Sequence, residues 1–223
     1  KVLTGIKRAA EMAGVKIVTG DTKVVEKGKG DQIFINTSGL GLIHPNAKIH
    51  HKRIVPGDQI ILTGNLANHG IAIMSKRQGL EFETTLESDT TALNHTIYNL
   101  LDTFGEEIHF LRDPTRGGLA SVLNEVAELT QLGYHIDQKL IPLDEQVEGA
   151  CEMLGLDPLY VANEGLFVAI VSENIAADFI NQLRNDKNGT NAAIIGEVNT
   201  DHPGKLVMKS NIGGHRVVNY LTG

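Results

Sequence analysis

Cysteine is almost absent from this chain. Cys151 is the only one, so no intrachain disulfide can form and no thiolate cluster can hold a metal. Such usage fits a reducing compartment and predicts a cytoplasmic protein. Long hydrophobic runs are missing too. The most apolar stretch, Leu166-Phe167-Val168-Ala169-Ile170-Val171, falls far short of the roughly 20 residues that cross a bilayer, and the first residues read as part of a fold rather than as a leader. No block of like charge stands out. The 20 basic and 27 acidic residues leave a net charge of −7, which disfavours polyanionic partners, so neither nucleic acid nor membrane is expected. There is no internal repeat and no low-complexity segment. At 223 residues, 41% hydrophobic and 21% charged, the composition is that of a globular protein with one large domain, or one domain and a fragment of another.

The chain also lacks an initiator methionine and a capping residue for its first helix. Val2, Ile6, Ala9, Ala10 and Ala13 follow a helical period from the outset, which suggests a segment of something longer. Gly14 is a candidate C-cap, and strands are predicted at 15–20 and 32–37 with a polar turn over 26–31. Residues 44–52 are a polar connector, and Pro56-Gly57-Asp58 is a turn. A domain boundary is placed at the connector, giving 1–45 and 46–223. Downstream, strands are expected at 59–63, 134–136, 166–171, 192–198 and 205–208. Helices are expected at 91–101, after 113–118, at 147–154 and at 175–184. Gly64 to Gly70 reads as a loop leading into Ile71-Ala72-Ile73-Met74, Leu80 to Asp89 as polar chain, and the last two strands as a hairpin around Asp201-His202-Pro203-Gly204. Strands and helices mix without strict alternation, which points to α+β rather than a doubly wound parallel sheet.

Three loops carry residue types suited to chemistry. Gly20-Asp21-Thr22-Lys23 follows a predicted strand. Asp is a hard oxygen ligand suited to magnesium, and Lys can meet a phosphate or a developing negative charge; a capped turn with a solvated lysine accounts for the same residues. Asp113-Pro114-Thr115-Arg116-Gly117-Gly118 opens a helix. Glycines there let backbone amides approach an anion, and Arg116 can add a bidentate phosphate contact; the bland account makes Asp113 the N-cap and Pro114 the first helical residue. Ala162-Asn163-Glu164-Gly165 precedes the most apolar strand, where desolvation could raise a carboxyl toward useful base strength; a polar β-turn is the other account. His69 reads as a capping or surface residue. His50 and His51 lack a carboxylate nearby and do not read as a metal site. Cys151 shares a helical face with Leu154 and reads as a buried structural thiol.

Taken in order, Gly20 to Val25, Asp113 to Gly118 and the string Cys151-Glu152-Met153-Leu154-Gly155-Leu156-Asp157-Pro158-Leu159-Tyr160-Val161-Ala162-Asn163-Glu164-Gly165 resemble HypE, the carbamoyl dehydratase family of nickel–iron hydrogenase maturation. The resemblance runs over essentially the whole chain. It implies the layered α/β architecture of the superfamily of aminoimidazole ribonucleotide synthetase: residues 1–45 as the end of the ATP-binding domain, 46–223 as the C-terminal α+β domain. It also implies ATP-dependent dehydration of a carbamoylated C-terminal cysteine to a thiocyanate. ATP and magnesium would be required, with a HypF-type carbamoyltransferase and a HypC–HypD complex as partners and a homodimer as the assembly. By the same resemblance Asp21 holds magnesium, Thr22 lies with it on the ATP side, and Lys23 stabilises the departing oxygen. Glu164 accepts amide protons, Asn163 orients it, and Asp113, Thr115, Arg116, Gly117 and Gly118 line the phosphates.

The chain departs from the family pattern in several places. The earlier part of the ATP domain and the terminal cysteine are not present, so activity of these residues alone is not expected. Leu166 stands where many relatives have lysine, which removes a possible phosphate contact. Asn68 stands where many have aspartate, which leaves the His69 loop without an assigned role. Two other readings compete: another enzyme of the superfamily such as selenophosphate synthetase, and, for these residues by themselves, a non-catalytic module that docks maturation partners.

Overall fold

The computed structural model describes residues 1–30, 33–78 and 87–220. The chain divides into two compact units, Lys1–Pro45 and Asn46–Gly223.

In the first unit the helical period forms α1, Val2–Ala13. Gly14 ends it in the left-handed conformation, and the N–H groups that follow reach back to the last turn, the arrangement expected of a glycine C-cap. The strands predicted at 15–20 and 32–37 do not form among the described residues, and Asp31 and Gln32 lie outside them. A strand exists by pairing, and Val18, Val24, Phe34, Leu40 and Leu42 are largely exposed.

The second unit is built on a seven-stranded sheet in the order β2-β4-β1-β5-β3-β6-β7. Its strands are β1 (Gln59–Leu62), β2 (Ile108–Arg112), β3 (Gly133–Asp137), β4 (Val168–Val171), β5 (Ala193–Asn199), β6 (Leu206–Lys209) and β7 (His215–Val218). Neighbours are antiparallel except β3 and β6. Alternate residues of a strand face opposite sides, and the two central strands show it. Ile60, Leu62, Val168 and Ile170 enter one core; Ile61, Ala169 and Val171 enter another. The first core is covered by α4 (Gly118–Thr130) through Leu119, Val122, Leu123 and Val126. The second is covered by α3 (Asn94–Phe104) and α6 (Ala176–Arg184) through Leu100, Leu101, Phe179 and Leu183. The result is a layered α+β unit. A third cluster joins α2 (Asn68–Gln78) to α5 (Glu145–Leu154) through Ala67, Ile71, Val147, Ala150 and Cys151.

The expected hairpin of the last predicted strands is not formed. β3 lies between β5 and β6, antiparallel to the first and parallel to the second, because Tyr134 and Ile136 bury their side chains there. α2 begins inside the predicted loop, taking in residues 68–70 and the apolar stretch that follows; its Gly70 is required by packing, since a Cβ would stand 2.4 Å from Val161 Cγ1. β2 and β7 are strands that periodicity did not single out. The Pro56-Gly57-Asp58 turn does form. Asp58 is buried, accepts from the Val55 N–H at 3.0 Å and meets His109 Nδ1 at 2.7 Å. Of the expected polar segment, residues 80–86 lie outside the described residues.

Candidate active site

The second and third loops are brought together, and Asn163 is the link. Its side chain is completely buried. Its carboxamide oxygen accepts from the Ala67 N–H at 2.7 Å, and its nitrogen donates to the carbonyls of Val161 at 2.8 Å and Pro114 at 3.2 Å. Its own backbone N–H also donates to the Pro114 carbonyl, at 3.2 Å. Gly70 N–H reaches the Ala162 carbonyl at 3.0 Å. One carboxamide thus ties together the start of α2, the loop before α4 and the turn before β4. Ala67 has a left-handed backbone, φ 72°, an unfavourable state for a residue with a Cβ. The bond to Asn163 holds it there. Every polar atom of its side chain is engaged in these bonds.

In the loop before α4, the helix starts at Gly118 with Gly117 as its N-cap and no side-chain cap. This corrects the account in which Asp113 caps the helix and Pro114 begins it. Pro114 is buried and its carbonyl is taken by Asn163, while the Asp113 carboxylate accepts from Thr115 Oγ1 at 3.4 Å. Both glycines have positive φ, 70° and 62°. Gly118 is required twice over, since a Cβ would stand 2.4 Å from the Leu159 carbonyl oxygen. The glycines therefore fit the helix start against the 159–161 turn, and the first-turn N–H groups remain without helical acceptors. Asp113 and Arg116 are exposed beside them.

Glu164 is exposed, and among the described residues nothing bonds its carboxylate. Its backbone N–H donates to both oxygens of Asp89, at 3.1 and 3.2 Å. Sequence reasoning passed over Asp89; the only signal was the short polar run Ser88-Asp89-Thr90-Thr91 ahead of a helix. His69, in the first turn of α2, faces the same segment, with Nδ1 2.8 Å from Ser88 Oγ. Next to the turn, Thr63, Asn65, Asn68, Asp89, Lys187 and Asn191 are among the residues lining a depression of about 430 Å³. The buried Oδ1 of Asn68 has no partner among the described residues. Leu166, where a lysine was considered, is buried in the first core.

The first loop belongs to the other unit. Asp21 Oδ1 accepts from the Thr22 N–H at 2.8 Å, its second oxygen has no partner among the described residues, and Asp21, Thr22 and Lys23 are all exposed. No group of three or more metal-ligating side chains occurs among the described residues. His50 accepts from the Lys52 N–H at 3.1 Å and caps a single helical turn. Cys151 is buried and its thiol is pushed up to about 11, first by burial and then by the charges of Asp157 and Glu148.

Residues 55–209 match the family described as AIR synthase related protein, C-terminal domain, and residues 1–43 its N-terminal domain. The chain is 45% identical over 215 residues to carbamoyl dehydratase HypE of Bradyrhizobium diazoefficiens, covering 96% of this chain and 62% of that protein. It is also 45% identical over 223 residues to the HypE of Cupriavidus necator, covering 100% and 63%. Among solved structures, a HypE–HypF complex matches with TM-score 0.93 and 42% identity over 98% of this chain and 71% of that one. A hydrogenase maturation protein HypE in complex with ATP matches with TM-score 0.95 and 42% identity over 100% and 68%. The chain thus spans a little under two thirds of the length of these curated relatives, and none of them favours the selenophosphate synthetase alternative. No helix among the described residues is long and apolar enough to cross a membrane.

Proposed function

Because the chain belongs to the HypE family of AIR synthase-related proteins, we propose that it forms the larger part of an ATP-dependent carbamoyl dehydratase that makes cyanide ligands for nickel–iron hydrogenase. Residues 1–45 are then the end of an ATP-binding domain and 46–223 the C-terminal domain. The setting is the cytoplasm and the assembly a homodimer.

The substrate in this reading is a carbamoyl group on the sulfur of a C-terminal cysteine, supplied by a HypF-type carbamoyltransferase. Cys151, buried in α5, is not that residue. The amide oxygen is a poor leaving group. Transfer of the terminal phosphoryl group of ATP to it, with loss of one N–H proton, yields an O-phosphorylated imidate and ADP. Loss of the second proton expels inorganic phosphate as the carbon–nitrogen triple bond forms, leaving the thiocyanate. The cyano group then passes as cyanide to iron held by a HypC–HypD complex, which must also supply the two electrons that cleave the sulfur–carbon bond and return the cysteine as its thiolate.

Glu164 accepts the amide protons; its carboxylate is exposed, so the desolvation expected of it beside the apolar strand is not found, and the turn's position and its free carboxylate are what recommend it. Asn163 positions it. The first-turn amides of α4 at Gly118, the Gly117 cap, Arg116, Thr115 and Asp113 face the phosphates, where a helix N-terminus and a guanidinium favour negative charge. Lys23 stabilises charge on the departing oxygen. Asp21, beside Thr22, offers its free oxygen to magnesium, which when bound with the phosphates neutralises their charge. One carboxylate is enough of a protein ligand set when phosphate oxygens complete the rest.

The observation that supports this reading is the Pro114 carbonyl, which accepts from both the backbone and the side chain of Asn163. Two loops remote in sequence are thereby one structural assembly, which independent polar turns have no reason to be. The test uses the whole protein with Glu164→Gln and Lys23→Ala. Both variants are expected to carry the carbamoyl adduct but to lose water from it only at a small residual rate, as read by mass spectrometry of the C-terminal peptide. Thiocyanate at the unmodified rate in either variant removes that residue's role.

A further inference from the structure

We propose that Asp89 is a positioning residue for the Glu164 carboxylate, acting from a strap formed by residues 88–91. This rests on Glu164 being the proton acceptor. Nothing among the described residues bonds the Glu164 side chain, so what the fold anchors is the backbone from which it springs, and with it the place from which the carboxylate reaches out. That backbone offers one free donor, the Glu164 N–H, and both Asp89 oxygens take it, at 3.1 and 3.2 Å. A donor shared by an ionised carboxylate makes a stronger bond than one to a neutral acceptor. The Asp89 side chain is only 12% exposed, which limits competition from water.

The strap is itself anchored. Ser88 Oγ lies 2.8 Å from His69 Nδ1, accepts from the Thr90 N–H at 3.2 Å and meets Thr90 Oγ1 at 2.7 Å. At the other end Thr91 Oγ1 donates to Asn188 Oδ1 at 3.1 Å, and Asn188 in turn donates to the Ala92 carbonyl at 3.1 Å. His69 Nδ1 is also 4.0 Å from Asp89 Oδ1. Between these anchors the strap backbone sits directly on the turn: a Cβ on Gly165 would fall 1.7 Å from the Asp89 carbonyl oxygen. This gives the His69 segment a role. It fixes the strap that fixes the turn, while Asn163 holds the turn from beneath.

Misplacing a catalytic group by about 1 Å can slow a reaction roughly 100-fold. In the whole protein, Asp89→Ala is expected to lower single-turnover thiocyanate formation by roughly 10- to 100-fold with the KM for ATP unchanged. Asp89→Asn, which keeps an acceptor oxygen in the same place, should recover most of that loss. In a Glu164→Gln background, Asp89→Ala should add nothing, because residues acting as a unit are not additive. If Glu164→Gln slows the reaction but Asp89→Ala does not, or if the two losses multiply, Asp89 does not act through Glu164 and the inference is wrong. Equal losses for Asp89→Asn and Asp89→Ala also overturn it. If Glu164→Gln itself leaves the rate unchanged, the proton-acceptor reading fails first and the inference falls with it.

Discussion

Cys151 shows how a residue's chemistry follows from its surroundings. Its helical neighbourhood pointed to a structural thiol, and in the structure it is buried with Val147 and Ala150 against α2. Burial, with the charges of Asp157 and Glu148, holds the thiol up to about 11. At pH 8 the thiolate is then on the order of a thousandth of the total, and the thiolate is the reacting form. Alkylation should therefore be very slow in the folded chain and rise to the free-thiol rate when denaturant unfolds it. Rapid stoichiometric labelling of the native chain would contradict the burial. The sign of the linkage is also fixed. The unfolded chain, with the ordinary value near 9.0, ionises before the folded one, so this residue subtracts stability as pH rises from about 9 toward 11.

At the scale of elements, the turns that meet at Asn163 depend on one another. Removing the Asn163 carboxamide strips the Ala67 N–H of its acceptor in a dry place, takes one donor from the Val161 carbonyl and leaves the Pro114 carbonyl with the backbone N–H of residue 163 alone. A buried donor left unsatisfied costs about 1–3 kcal/mol, in addition to the lost bonds. Asn163→Ala should thus lower unfolding free energy by about 2–4 kcal/mol in denaturant titration, with the slope unchanged. A loss below about 0.5 kcal/mol, the usual range for a surface substitution, would show that the three loops hold without it. α2 was missed in the sequence for a physical reason. It opens on Asn68-His69-Gly70, residues that disfavour helices, and its position is decided by close contact with Val161. By contrast, the apolar run into Val171 was readable as a strand because a central strand is buried on both faces.

For the molecule as a whole, the two units differ in how their backbone is satisfied. Along 15–30 and 33–43 the described residues are exposed, and the internal backbone bonds there are confined to the close of α1 and the turn at Lys29. The central strands β1, β4 and β5 of the second unit are each paired on both sides, and their alternate residues enter the two cores. In the 223-residue chain, amide hydrogen exchange should therefore be complete within minutes over 15–30 and 33–43. Protection in β1, β4 and β5 should reach that of global unfolding. Slow exchange throughout 15–43 would mean that this segment is paired in solution. Adding relatives' remaining sequence should protect it, if residues 1–45 are the end of a larger domain.

By itself the sequence determined the local events: α1 and its Gly14 stop, the face of α4, the helix of α6, the buried run of β4, the thiol of Cys151 and the polar turns that carry the candidate residues. These depend on neighbours within a few positions, where periodicity and turn chemistry act. Tertiary structure alone decided the order of the sheet, with β3 between β5 and β6, because strand pairing is a contest among distant segments for buried area. It decided the start of α4 at Gly118, where the backbone of residues 159–161 leaves no room for a side chain. It also decided that Asp89 meets Glu164. No spacing in the sequence relates those two residues, and only the closing of the strap over Gly165 brings the carboxylate onto that N–H.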